Sequence, residues 1–429
     1  MRISSVGSVG RHPRLAAISS TGTQRRHRPD YWLLMISVAL VMLGLVVLYA
    51  ISPGLAAQNN VSQNYYVSKQ LIAIFLGVLA FVAMANIPVG FWKRVQQPLI
   101  IAAAVAAVAV RLFGQQVNGA YRWIQIGGIS FQAAELIKFA LLIWLASFFV
   151  MRIREGSLSD WQKTLKPLAI ALAIIAIVVG KIQSDFGSTA VMTAMMVAIA
   201  FVAGMPLKKV VMIGGVIAIG VVLLIAPSAY RRSRVMTFLH PESDCQTSGY
   251  QVCQALITVG SGGLFGLGVG NSVQAYGYLP EAANDSIFAI LAEKFGFIGV
   301  TAVIVLFAAF FRRLFKIAEQ TADDYSRFLV VGILAWLSTQ VLINVGAMLG
   351  LLPLKGITLP FISYGGTSML FVMGAIGLVF QLSSYTSYQP IGVASGGLAG
   401  REGGNYEGST YRRGERRSHY ATTRRRPEA

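Results

Sequence analysis

A chain of 429 residues with 55% hydrophobic residues, 12% charged residues and a mean hydropathy of +0.63 carries about half the charge of a soluble domain. It reads as a polytopic membrane protein, which excludes the water-soluble enzyme classes. The net charge of +19 does not point to nucleic acid. The arginines crowd into two tails and into short loops on one side, where positive-inside orientation and attraction to anionic lipid account for them.

Residues 1–30 hold six arginines and no apolar period, and read as a disordered basic cytoplasmic tail. The first apolar run begins only after this tail and is about 20 residues long, so it reads as a retained anchor and not a cleaved signal. Ten runs follow in chain order: about 32–52, 69–87, 98–114, 134–151, 167–182, 188–204, 210–227, 286–311, 328–350 and 367–385. Most are long enough to cross about 30 Å at 1.5 Å per residue. The fifth and sixth are short and separated only by Gln183-Ser184-Asp185-Phe186-Gly187. Two separate spans and one kinked pair both remain open for them.

With a cytoplasmic N-terminus, the inside loops hold Lys93 and Arg94; Arg152, Arg154, Lys163 and Lys166; Lys208 and Lys209; and Arg312, Arg313, Lys316 and Arg327. The first two outside loops hold only Lys69 and Arg122. This asymmetry supports ten spans in that orientation. Residues 31–386 are therefore expected to form an all-α domain of ten transmembrane helices. Residues 227–285 would be a long extracytoplasmic loop between helices 7 and 8, and 387–429 a second disordered basic cytoplasmic tail. Arg231, Arg232 and Arg234 break the charge rule in the long loop and invite an anionic partner there. Cys245 and Cys253, the only cysteines, also lie in it. No spacing suggests zinc, and an outward loop makes a structural disulfide the expectation.

Polar groups at membrane depth or at its surface are the best pointers to function. Asp285 stands at the entrance to the eighth span, where a head group and a lipid tail can both be reached. Asn284, Asp285 and Ser286 are all good N-cap residues, but capping needs only one, which leaves a carboxylate to spare. Glu135 and Lys138, three apart, share a helix face: either a buried pair that fixes packing, or a cation near a phosphate with Glu135 orienting it. Lys181 and Asp185 are either a snorkelling pair or part of a site wall. Arg122, between Tyr121 and Trp123, is either an interface anchor or a bidentate phosphate ligand. The glycine-dense run 260–271 offers either a phosphate cradle or close helix packing and a bend. Glu293 and Lys294 cannot both face lipid, so part of the eighth helix must face protein or water. The segment from Leu354 to Ser368 suits a rigid non-helical lip, with Lys355 and Ser363 as its substrate-binding candidates.

Several of these segments together resemble the SEDS family (shape, elongation, division and sporulation). They are Gly119-Ala120-Tyr121-Arg122-Trp123-Ile124, Gln132 to Lys138, Gln183 to Gly187, Ser248-Gly249-Tyr250-Gln251, the glycine run with Asn271-Ser272, Leu279 to Phe288, and Leu359 to Ser368. The likeness spans about residues 30–386. Asn271-Ser272 and Pro280-Glu281-Ala282 look more like the division members than the elongation members. The chain departs from the usual pattern at Ala283, Asn284 and Ser286 around the aspartate, at Ala133-Ala134 before Glu135, and at Lys294 in place of a second glutamate.

The resemblance implies a peptidoglycan glycosyltransferase of the inner (cytoplasmic) membrane, with both termini cytoplasmic and its site on the outer face. Such an enzyme polymerises lipid II beside a class B penicillin-binding protein and other divisome membrane proteins. The family's essential aspartate falls on Asp285. Pyrophosphate is already a good leaving group, so the chemistry needs a base for the attacking sugar hydroxyl and positive charge around the departing phosphates. Asp285 is the expected base, acting with inversion. Arg122, Lys138 (oriented by Glu135), Asp185, Lys355 and Ser363 are the expected substrate-binding residues. A divalent cation, Mg or Mn, is a candidate cofactor, and no organic cofactor is expected. A lipid II flippase and a non-catalytic scaffold for the transpeptidase are the alternatives.

Overall fold

The structure, a computed structural model, describes residues 28–117, 120–126, 129–206, 208–215, 220, 236, 238, 245–246, 249–354 and 356–385. Helix α1 (Tyr31–Gln58) starts where the Asp30 carboxylate accepts the Leu33 N–H at 3.1 Å. It continues through Pro53, beyond the expected stop at 52. Helices α2 (Tyr65–Asn86), the short α3 (Val89–Arg94) and α4 (Gln96–Phe113) follow. The chain then leaves the helical pattern. Strands β1 (Gln115–Val117), β2 (Ala120–Ile126) and β3 (Ile129–Gln132) form an antiparallel sheet in the order β1-β2-β3, with Trp123 opposite Gln132 and Gln125 opposite Ser130. This sheet departs from the all-α expectation. Its physical cause is the aromatic and β-branched content of Tyr121-Arg122-Trp123-Ile124.

Helix α5 (Ala133–Arg154) descends from the sheet. Helix α6 (Trp161–Ile182) has π-helical turns at Trp161–Leu165 and Ala176–Ile182. Helix α7 (Phe186–Val202) is a separate element with its own cap, which resolves the question of a kinked pair. Residues 208–215 are helical. Helix α8 (Tyr250–Ser261) lies within the segment read as a loop, and Cys245 is bonded to its Cys253, with 5.6 Å between the Cα atoms. Helices α9 (Ile287–Gln320), α10 (Asp324–Met348) and α11 (Gly366–Ser383) complete the described fold. Helix α9 runs past the expected end at 311 through the charged stretch Arg312–Gln320, where Leu314, Ile317 and Ala318 keep one face buried.

Eight of these helices, α1, α2, α4, α5, α6, α9, α10 and α11, are long and apolar enough to cross a membrane, and α7 is a shorter apolar helix. The fold is thus a mostly helical, polytopic membrane bundle. The seventh expected run, 210–227, begins within the described helix and continues outside the described residues. So do both tails, the glycines at 119, 127 and 128, and Arg231, Arg232, Arg234 and Lys355.

The apolar stretches of α10 and α11 are 67% and 72% buried, against 17% for α2 and 22% for α4, so α10 and α11 form the centre and α2 and α4 the lipid-facing rim. Close approach depends on glycine. A Cβ on Gly377 of α11 would strike the Phe81 backbone of α2, and one on Gly332 of α10 would strike Leu142 of α5.

The glycine run packs against the start of α9. Gly296 breaks α9 with φ +63°, and the gap is sealed by backbone bonds. Leu267 and Gly268 donate to the Glu293 and Lys294 carbonyls at 2.9 and 3.1 Å, while Phe297 and Ile298 donate to Gly263 and Leu264 at 2.9 and 3.2 Å. These amides are committed to the fold, so the packing reading holds for them over a phosphate cradle. Glu293 is fully buried and accepts Ser272 Oγ (2.5 Å) and the Val273 and Gln274 N–H groups (3.1 and 3.2 Å). Lys294 Nζ donates to the Val269 carbonyl at 2.7 Å. Both charges face protein, as their adjacency required.

Candidate active site

The turn from Leu279 to Ser286 sits on the buried side chains of Leu279, Ala282 and Ala283. Its three last carbonyls before Ser286 are each gripped from another element. Tyr364 N–H donates to Ala283 O at 2.9 Å. Ser363 Oγ donates to Asn284 O at 2.7 Å while accepting the Leu359 N–H at 2.7 Å. Asn344 Nδ2, from the middle of α10, donates to Asp285 O at 2.7 Å and to Ile357 O at 2.7 Å. Ser286 holds the N-cap position of α9 but gives its hydroxyl to Pro280 O at 2.9 Å. Asn284 Nδ2 donates to Glu281 Oε2 at 2.5 Å. Every neighbour is thus engaged in holding the turn, and no side chain among the described residues hydrogen bonds the Asp285 carboxylate.

Arg122 of β2 approaches the same place. Its Nη2 donates to Ser184 O at 2.6 Å and its Nε to Gln183 O at 3.3 Å, which fixes the guanidinium between α6 and α7. Its Nη1 lies 3.1 Å, and Asp285 Oδ2 3.3 Å, from where a Cβ on Gly356 would stand. A cation and an acid therefore border one small gap beside Gly356 without being ion-paired. Burial, and next the Glu281 charge, push the Asp285 carboxyl up from its ordinary value to about 7, while Arg122 pulls it back. Four non-glycine residues among those described have positive φ: Asn60, Ser184, Glu281 and Phe361. Ser184 lies in the loop that holds Arg122, Glu281 in the Asp285 turn, and Phe361 in the 359–364 segment that clasps that turn. Such conformations cost about 1–3 kcal/mol each and gather at functional sites.

The other expected residues fall in several places. Asp185 caps α7, accepting Ser188 N–H at 2.9 Å, Ser188 Oγ at 2.8 Å and Gln132 Nε2 at 3.4 Å. It forms no ion pair with Lys181, and acts on Asp285 only as a more distant negative charge. Glu135 and Lys138 form a buried ion pair at 2.7 Å within α5, with Lys138 Nζ 5.7 Å from the Trp336 ring centroid on α10. The pair packs two helices together, and no contact links it to Asp285. Ser363 reaches the site through the backbone of its turn. Lys355 lies outside the described residues. Two participants were missed. Asn344 carries a detectable signal, a polar residue deep in an apolar run. Gly356 carries none, because glycine is common in any lip. Among the described residues no three His, Cys, Asp or Glu side chains gather as a metal site. Within those residues the candidate Mg or Mn has no cluster of protein ligands.

A family profile described as cell cycle protein, FtsW/RodA/SpoVE, matches residues 31–388. The chain is 37% identical over 361 residues to a protein of Saccharophagus degradans named probable peptidoglycan glycosyltransferase FtsW, covering 83% of this chain and 92% of that one. It is 34% identical over 368 residues to stage V sporulation protein E of Bacillus subtilis, covering 85% of this chain and 100% of the relative. A solved chain described under structural coordination of polymerization and crosslinking by a peptidoglycan synthase complex superposes with a TM-score of 0.69 at 26% identity, covering 83% of this chain and 97% of that one.

Proposed function

Because the chain belongs to the FtsW/RodA/SpoVE family of cell cycle proteins, we propose that it is a peptidoglycan glycosyltransferase that polymerises lipid II during cell division, with Asp285 as general base. The observation that carries the assignment of the base is the carboxylate whose turn is clamped through its backbone while no side chain among the described residues bonds the acid, which borders one gap with Arg122. In the transfer, Asp285 takes the proton of the acceptor sugar's 4-hydroxyl. The new bond joins that oxygen to the donor's anomeric carbon with inversion. The bond from that carbon to the phosphate oxygen breaks, and its electron pair leaves on undecaprenyl diphosphate beside Arg122.

Ten spans, both termini in the cytoplasm of an inner-membrane protein, and residues 227–285 outside belong to this reading. The loop charges support it, as does the Cys245–Cys253 bond, because disulfides persist in oxidising compartments. The likeness to a peptidoglycan synthase complex supports a class B penicillin-binding protein as partner, and other divisome membrane proteins belong to the cell-division reading. A lipid II carrier needs its charged groups at mid-depth, whereas Asp285 precedes the first residue of α9. That placement favours the polymerase.

The test is purified protein in liposomes given lipid II on its accessible face, with glycan products resolved on a gel. Asp285→Asn is expected to lose at least about 10²-fold in rate, the worth of a positioned base, while staying folded. A variant that polymerises at the wild-type rate would remove Asp285 from the chemistry. Wild-type protein that flips lipid II without making polymer would favour the carrier.

A further inference from the structure

A second feature touches the site from the lipid side. Helices α4, α5 and α6 enclose a groove of about 710 Å³, within the usual range for small-molecule sites. Small residues hollow it: Ala103 and Ala107 on α4, Ala140 on α5 and Ala171 on α6. Along α4 it reaches from Ile100 to Leu112, about 18 Å at 1.5 Å per residue. Its lining is apolar except for one charged residue, Arg111, at the end nearest the sheet. Ile182 closes the same end on α6, and the next two residues, Gln183 and Ser184, supply the carbonyls that hold Arg122. That end of the groove therefore adjoins, along the chain, the loop that holds Arg122.

Arg111, on α4, and Arg122, on β2, are set apart by the strand. Arg111 lies over the Tyr121 ring, 4.7 Å from its centroid, while Arg122 turns to the gap; consecutive strand residues point opposite ways. Two lipid-linked substrates meet in the proposed reaction. The donor's diphosphate departs beside Arg122. The acceptor's diphosphate does not react, and a disaccharide separates it from the hydroxyl that Asp285 deprotonates. We propose that the groove holds the isoprenoid chain of the acceptor, a polyprenyl-diphosphate lipid, with Arg111 on its unreacting diphosphate and its sugars reaching over β2 to Asp285. Charge complementarity at the mouth, and the adjoining loop that holds Arg122, select this occupant over bulk phospholipid. The inference rests on the glycosyltransferase reading.

The test uses the full chain in nanodiscs and a diazirine-bearing undecaprenyl diphosphate, with peptide mapping after irradiation, so turnover is not required. Label is expected on peptides of α4 and α6, displaced by undecaprenyl diphosphate and not by phosphatidylglycerol. Filling the groove with Ala140→Trp, or with Ala171→Phe from the facing helix should one variant misfold, is expected to cut labelling at least tenfold. Arg111→Gln is expected to raise the half-saturating probe concentration about tenfold, the worth of a charge-assisted hydrogen bond. Asp285→Asn is expected to label like wild type, so loss of the base assignment in the polymerisation assay stays distinguishable from loss of the groove. Equal displacement by phosphatidylglycerol, or label confined to other helices, would overturn the proposal.

Discussion

Asn344 offers the sharpest test of how the site is held. Its amide has two N–H donors, and both are committed at 2.7 Å, one to the carbonyl of Asp285 and one to that of Ile357 beside Gly356. One side chain, 1% exposed, therefore sets the separation of the two walls of the gap. Asn344→Leu keeps the approximate volume and removes both donors. Each carbonyl left without a partner costs about 1–3 kcal/mol, and the turn can escape that cost only by moving. A displacement of about 1 Å at a reacting group can cost about 10²-fold in rate. The expected outcome is a kcat lower by about 10- to 100-fold in lipid II polymerisation, with KM changed far less, because the lipid-facing surfaces are untouched. A loosened turn also admits water to the carboxylate, so the acid limb of the pH–rate profile should move to lower pH. Thermal unfolding of the same preparation separates this from simple loss of folded protein. An Asn344→Leu enzyme with wild-type kcat per folded molecule and an unmoved limb would refute the argument.

The raised Asp285 value gives the pH dependence its sign. A base must be ionised, so polymerisation should fall about tenfold for each pH unit below about 7. Glu281→Gln removes the neighbouring negative charge and should carry that limb to lower pH, whereas Arg122→Gln should carry it higher; stopped assays across pH 5–9 distinguish the directions. The same shift means that the folded state binds more protons than the unfolded chain between the ordinary carboxyl value and about 7. Stability therefore falls as pH rises through that interval, the cost of the buried charge is complete above about 7, and Asp285→Asn should melt higher than wild type at pH 8. Gly356→Ala places a methyl group 3.1 Å from Arg122 Nη1 and 3.3 Å from Asp285 Oδ2, so it should depress polymerisation by at least about tenfold with little change in melting. Unaltered activity would show that substrate does not enter that gap.

Much of the bundle was legible because lipid imposes a simple code. Nine of the ten apolar runs correspond to described helices, and the adjacent Glu293 and Lys294 required part of their helix to face protein or water. Asp285 stood out because three cap-forming residues in a row are more than one helix start uses. What escaped notice depends on contacts between distant parts of the chain. Asn344 lies 59 residues from the carbonyl it grips, and nothing near either one signals the other. The sheet was hidden because aromatic residues between glycines suit an interfacial loop equally well. The break at Gly296 is visible only beside Leu264 and Gly266, whose backbone occupies the place of a side chain. Lys138 and Asp185, offered by the sequence as substrate-binding residues, are both buried, and the sequence does not show which partners each one meets there.

That filling is what separates scaffold from chemistry here. Asp185 accepts three hydrogen bonds, Glu293 accepts three, and Glu135 has Lys138. Each of these carboxylates is tied by its side chain into the packing around it. Asp285 is the opposite case. Its neighbours could have served it: Ser286 occupies the cap position, Asn284 carries an amide, and Arg122 is close. Ser286 turns to Pro280, Asn284 to Glu281, and Arg122 spends two of its nitrogens on Ser184 and Gln183. The fold thus holds the turn through carbonyls and leaves the acid a weak enough partner of its surroundings to exchange a proton near neutral pH. A residue kept only for structure would show the reverse arrangement, with the side chain bonded and the carbonyls left to the helix.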